Sequence, residues 1–77
     1  MWYVYAISSL KTNMLYIGLT SNVKRRLGEH NSGTGGEYSK RQSPFKLVFY
    51  EAFLSKKDGQ KQEKFYKSGY GREVLDD

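Results

Sequence analysis

Residues 16–30 read YIGLTSNVKRRLGEH and bring a tyrosine, two adjacent arginines and the chain's only histidine into one turn-and-helix unit. These residue types suit chemistry on a phosphate. A guanidinium is a planar fork that pairs with phosphate oxygens two at a time. A phenol or an imidazole can take or give a proton beside it. At about 100° per residue, Val23, Leu27, Arg26 and His30 share one helix face, while Lys24, Arg25, Gly28 and Glu29 point elsewhere. Val23 and Leu27 are the large apolar residues of this helix, so that face must meet the core. Arg26 and His30 are carried inward with it, and Arg25 reads as a solvated charge. An inward arginine needs an anionic partner. Either Arg26 pairs with a structural carboxylate beside a satisfied core histidine, or it binds phosphate beside a sheet-borne tyrosine.

Composition narrows the cofactors and partners. The chain has no cysteine and one histidine, which excludes disulfides, thiolate metal sites and multi-histidine zinc sites. A metal would therefore sit mainly on oxygen, which favours Mg²⁺ or Mn²⁺. The net charge is +5, a balance that suits a polyanionic partner as well as plain solubility. The longest apolar run, residues 2–7, is too short to span a membrane or form a secretory signal core, so a soluble, cytoplasmic protein is expected.

The elements that must hold these residues can be read along the chain. Its 77 residues are expected to form one domain, 1–77. A domain of this size buries only roughly 60% of its unfolded surface, so it depends on a compact core. Seven tyrosines, four phenylalanines and one tryptophan can supply that core. Residues 2–8 and 14–19 read as strands joined by a turn at KTN, 11–13. TSN, 20–22, offers N-caps for a helix running to about residue 30. Residues 31–45, NSGTGGEYSKRQSPF, hold three glycines and the only proline and read as a long loop, a kind that is often functional or mobile. Residues 46–53 form a third strand. Ser55 and Asp58 form a capping box for a second helix to about residue 68, stopped by Gly69. GYGREVLDD, 69–77, closes the chain in a short turn or helix. The expected fold is α/β in the α+β sense: a small three-stranded antiparallel sheet flanked by helices, in the order β-β-α-β-α. Alternation places Tyr3, Tyr5 and Ile7 on one face of the first strand and Trp2, Val4 and Ala6 on the other.

With these residues in place, the chain resembles the GIY-YIG nuclease superfamily. It is similar to the small stand-alone bacterial members and to the N-terminal domain of the excinuclease C subunit. The two name-giving tripeptides match Tyr3-Val4-Tyr5 and Tyr16-Ile17-Gly18, although Tyr3 stands where the family name has glycine. The family's arginine, ten positions after the second tripeptide's tyrosine, falls on Arg26, the residue that the helical face selects. A group one turn later falls on His30. The family's single metal-binding glutamate falls on Glu63 in KKDGQKQEKFYK. Gly59 sits four residues before it, at a helix-propensity cost of about 1 kcal/mol that leaves room for close packing.

The resemblance implies metal-dependent hydrolysis of a DNA phosphodiester to a 5′-phosphate and a 3′-hydroxyl. Glu63 would hold one divalent ion, Mg²⁺ or Mn²⁺, and Arg26 would offset charge on the phosphoryl oxygens. Tyr5 and Tyr16 would orient water, and Tyr5, Tyr16 or His30 would be the base. Plainer roles exist for each: core packing for the tyrosines, and a surface pair with Lys67 at i+4 for Glu63. Asp58, Glu51 and Glu73 are the alternative metal carboxylates. In the loop, Tyr38, Lys40 and Arg41 are candidates to grip the nucleic-acid backbone. The chain shows no appended sequence reader, so specificity is expected to be low or to come from a protein partner. DNA is the expected substrate, branched or damaged DNA among its forms; RNA stays an alternative, and the setting stays open between repair, defence and mobile-element biology. A nucleic-acid-binding module of the same fold that does not cut is the alternative, and a basic interaction domain is a third.

Overall fold

The computed structural model describes residues 1–34, 36–69 and 71, and the Tyr38 side chain lies outside that set. The expected closing turn at 69–77 therefore lies outside the described residues except for Gly69 and Gly71. The elements are β1 (Trp2–Ser9), β2 (Leu15–Thr20), α1 (Val23–Ser32), α2 (Glu37–Gln42), β3 (Phe45–Phe53) and α3 (Lys56–Lys67). The strands form one antiparallel sheet in the order β2-β1-β3. The β-β-α-β-α order and the α+β class hold, with α2 added inside the connection that was expected to be a loop.

β1 is the central strand, so its side chains are covered on both faces. Tyr5 and Ile7 pack with Phe45 on one face, where Val23 and Leu27 of α1 lie over them. Val4 and Ala6 pack with Ile17 and Tyr66 on the other, under α3. A Cβ on Gly59 would come within 2.8 Å of Leu19 Cδ1, so the glycine lets α3 settle onto β2. The exposed side of α3 carries Lys56, Lys57, Lys61, Lys64 and Lys67, which keep it in water.

Local chemistry sets the boundaries. Asn13 takes the left-handed turn conformation at φ 62°, which Asn tolerates. Asn22 caps α1 by accepting the Arg25 N–H, and Gly33 ends the helix at φ 85°. Ser55 accepts the N–H groups of Lys57 and Asp58. α3 stops at Ser68 rather than at Gly69, with the Ser68 N–H bonded to the Lys64 and Phe65 carbonyls.

The segment between α1 and β3 is pinned at both ends. Asn31 donates to the Phe45 carbonyl and accepts the Phe45 N–H. Ser9 Oγ donates to the Gln42 carbonyl, and Thr12 Oγ1 bonds the Gln42 side chain. These tertiary bonds supply what the Gly-rich sequence lacks, and six residues close into α2.

Candidate active site

The site is built outward from Tyr5, which β1 presents on the α1 face. Its partner across the ladder is Gly18 of β2. A Cβ on Gly18 would lie 2.3 Å from the Tyr5 hydroxyl, so the phenol occupies the space that a side chain would fill. Glycine is required there by contact rather than by backbone conformation.

The Tyr5 hydroxyl lies 3.0 Å from His30 Nε2. His30 has no exposed surface. Its ring meets the edges of Tyr16 at 4.8 Å and Phe45 at 5.6 Å between centroids. Its other nitrogen, Nδ1, is hydrogen-bonded to Ser39 Oγ from α2, and Ser39 is buried as well. Periodicity thus placed His30 correctly on the inner face of α1. It is a satisfied core histidine whose bonds run to a tyrosine of the first tripeptide.

Arg26 and Arg25 separate as the helical face requires, at 29% and 58% side-chain exposure. Arg26 lies near enough for its charge to act on the Tyr5 phenol, and its Nη1 donates to Glu29 Oε1 at 3.0 Å. Glu29 was expected to point away from this face. It instead turns back along the helix and meets Arg26 at i+3, which satisfies the inward charge from the same element. The pairing with a carboxylate is the part of the two sequence readings of Arg26 that its environment displays.

Charge follows this geometry. Burial pushes the Tyr5 phenol above its ordinary range, the nearby Arg26 guanidinium opposes that, and the Glu63 carboxylate adds to it. Burial also holds the His30 imidazole below its usual value, reinforced by Arg26 and opposed by Glu29. His30 is thus neutral near pH 7.

Glu63 is carried by α3, and its charge is felt at Tyr5. Its side chain is 22% exposed, and Oε2 lies 3.1 Å from Lys67 Nζ, the i+4 pair that the plainer reading expected. Of the alternative carboxylates, Glu51 accepts from the Tyr66 hydroxyl and from Gln62, which ties α3 to the sheet. Asp58 is exposed in the first turn of α3, and Glu73 lies outside the described residues. Among the described residues no group of three His, Cys, Asp or Glu could hold a metal ion. One carboxylate suits a hard cation that keeps several waters and shares a substrate phosphate, as Mg²⁺ does, and does not suit zinc.

Lys40 and Arg41 are exposed on α2 directly after Ser39, so α2 sets them beside the buried relay. The Tyr38 side chain lies outside the described residues. A cleft of about 510 Å³ opens elsewhere, lined by Tyr3, Asn22, Val23, Leu27, Leu47 and Tyr50 among others, and none of the candidate catalytic side chains lines it. Sequence reasoning missed Ser39, which no periodic signal marks, and the steric role of Gly18.

A family model described as the GIY-YIG catalytic domain matches residues 1–75. UPF0213 protein CPE1444 of Clostridium perfringens is 40% identical over 65 residues, covering 84% of this chain and 69% of that protein. UPF0213 protein SH2523 of Staphylococcus haemolyticus is 43% identical over 61 residues, covering 79% and 73%. The solution NMR structure of UPF0213 protein BH0048 of Bacillus halodurans superposes with a TM-score of 0.58 at 36% identity, over 97% of this chain and 82% of that one.

Proposed function

The chain belongs to the GIY-YIG catalytic-domain family, and we propose that it is a divalent-metal-dependent endonuclease hydrolysing DNA phosphodiesters with low intrinsic sequence specificity. The observation that carries this reading is Tyr5, bonded to His30 Nε2 and lying within the fields of Arg26 and Glu63.

In this reading Arg26 binds the scissile phosphate through its guanidinium and offsets charge as the phosphorus centre fills. Tyr5 and Tyr16 orient the attacking water. His30 has no exposed surface, its two nitrogens face the Tyr5 and Ser39 hydroxyls, and this reading places the Tyr5 hydroxyl beside the attacking water. Tyr5 is then the group that takes the proton from water, and His30 stands behind it. Glu63 is the residue that would hold one Mg²⁺ or Mn²⁺, in place of its present pairing with Lys67. When bound, that ion polarises the phosphate and stabilises the leaving oxygen. Lys40 and Arg41 contact the DNA backbone from α2. Branched or damaged DNA is the substrate class, and a protein partner supplies further specificity.

The ion pair between Glu63 and Lys67 favours one other reading, a nucleic-acid-binding module that does not cut. Supercoiled plasmid and branched DNA incubated with Mg²⁺, Mn²⁺ or EDTA separate the two. Nicking that needs the divalent ion supports the nuclease. Salt-sensitive binding without nicking in any of the three conditions leaves the binding module.

A further inference from the structure

Both ring nitrogens of the buried His30 have hydrogen-bond partners, the Tyr5 hydroxyl on Nε2 and Ser39 Oγ on Nδ1. A neutral imidazole carries one ring proton, so one nitrogen donates and the other accepts. Both partners are hydroxyls that can donate or accept, so the bonds accommodate either tautomer, and the ring proton's place turns on which hydroxyl gives up its own. Around this ring stand Tyr5 from β1, Tyr16 from β2, Arg26 and Glu29 from α1, Ser39 from α2 and Phe45 from β3. Ser39 is itself only 1% exposed, so water does not readily stand in for its hydroxyl.

We infer that Ser39 is a positioning residue: its Oγ accepts the Nδ1–H of His30 and leaves the Nε2 lone pair facing the Tyr5 hydroxyl. The inference rests on the nuclease reading for its purpose, since the tautomer matters to catalysis only if Tyr5 must shed a proton. With Nε2 unprotonated, the Tyr5 O–H donates to it. The phenol oxygen then accepts a proton from water while its own proton passes to Nε2. The imidazole now holds both ring protons, and Nδ1–H stays on Ser39. With the opposite tautomer, Nε2–H would point at the phenol oxygen and that path would be shut. The short helix α2 thereby acquires a purpose. Its six residues, pinned through Gln42 to Ser9 and Thr12, hold one hydroxyl against a buried ring.

Nitrogen NMR of the full chain labelled with ¹⁵N reads the His30 tautomer without DNA, metal or turnover. The wild-type protein should show the Nδ1–H form. Ser39→Ala should keep a folded amide spectrum and move His30 toward Nε2–H. Its cleavage rate at saturating DNA should fall about 10–100-fold with little change in KM, by analogy with the loss of the outer hydrogen-bond partner of a metal-bound histidine. Ser39→Thr, which keeps the oxygen, should restore both readouts. A wild-type ring protonated on Nε2, or a Ser39→Ala protein with an unchanged tautomer, overturns the inference. A protein that cuts nothing overturns the nuclease reading instead, and the ring shifts still decide the part played by Ser39.

Discussion

Arg25 and Arg26 are neighbours in sequence with different surroundings, which makes them the sharpest test at the residue scale. Arg26 is bonded to Glu29 with its charge acting on Tyr5, whereas Arg25 is largely in water with a 3.9 Å contact to Glu29. Arg26→Ala should lower the cleavage rate by about 10²–10³, the usual value of one electrostatic donor. Arg25→Ala should leave the rate alone and weaken DNA affinity mildly, as one phosphate contact among several. Single-turnover kinetics with a defined DNA fragment measure both, and the reverse order would contradict the roles assigned to this helix face. Arg26 and His30 were legible in the sequence because Val23 and Leu27 fix which face of the helix is buried. Glu63 was not legible locally. It stands among lysines with a partner at i+4, as an ordinary surface glutamate does, and only the family resemblance singled it out. Ser39 was not legible either, since its role depends on a contact with a residue nine positions earlier.

At the scale of elements, the sheet and its two covered faces followed from alternation in β1, and the caps at Asn22 and Ser55 followed from side-chain chemistry. α2 did not. A short helix beginning after three glycines offers no repeating apolar face, and its stability comes from hydrogen bonds to β1 and the β1–β2 turn. The β1–β2 pair makes a further prediction. Gly18→Ala sets a methyl where the Tyr5 hydroxyl lies, so the phenol must leave or the strands must part. Forcing extra volume into a packed site typically costs about 1–3 kcal/mol. The variant should lose roughly that much stability in urea unfolding and also lose the Tyr5–His30 hydrogen bond. Unchanged stability would mean that Tyr5 has room to move, and the site is looser than its geometry implies.

For the whole molecule, acid stability is the readable consequence of burying His30. Its folded value lies below the ordinary one of about 6.5, so below that pH the unfolded chain binds more protons than the folded one. Stability should therefore fall as pH drops through about 6.5, with a slope of up to about 1.4 kcal/mol per pH unit from this residue. Melting temperatures of the wild-type protein and His30→Gln across that range test it: the variant should be less stable at neutral pH and show a shallower acid slope. The molecule's net charge of +5 sets the second expectation. Lys40→Ala/Arg41→Ala should flatten the log–log salt dependence of DNA binding by roughly one to two units, while cutting at saturating DNA survives. A salt titration showing no change would place the DNA on another side. Among the described residues no helix is long and apolar enough to cross a membrane. The central claim, that one carboxylate recruits the ion for phosphodiester cleavage, meets its most direct test in a single comparison. Purified wild-type and Glu63→Ala proteins, shown to be folded by circular dichroism, are each given supercoiled plasmid and Mg²⁺. The wild type should nick the plasmid, with EDTA abolishing the nicking, and the variant should leave it intact. Equal nicking by both would contradict the claim.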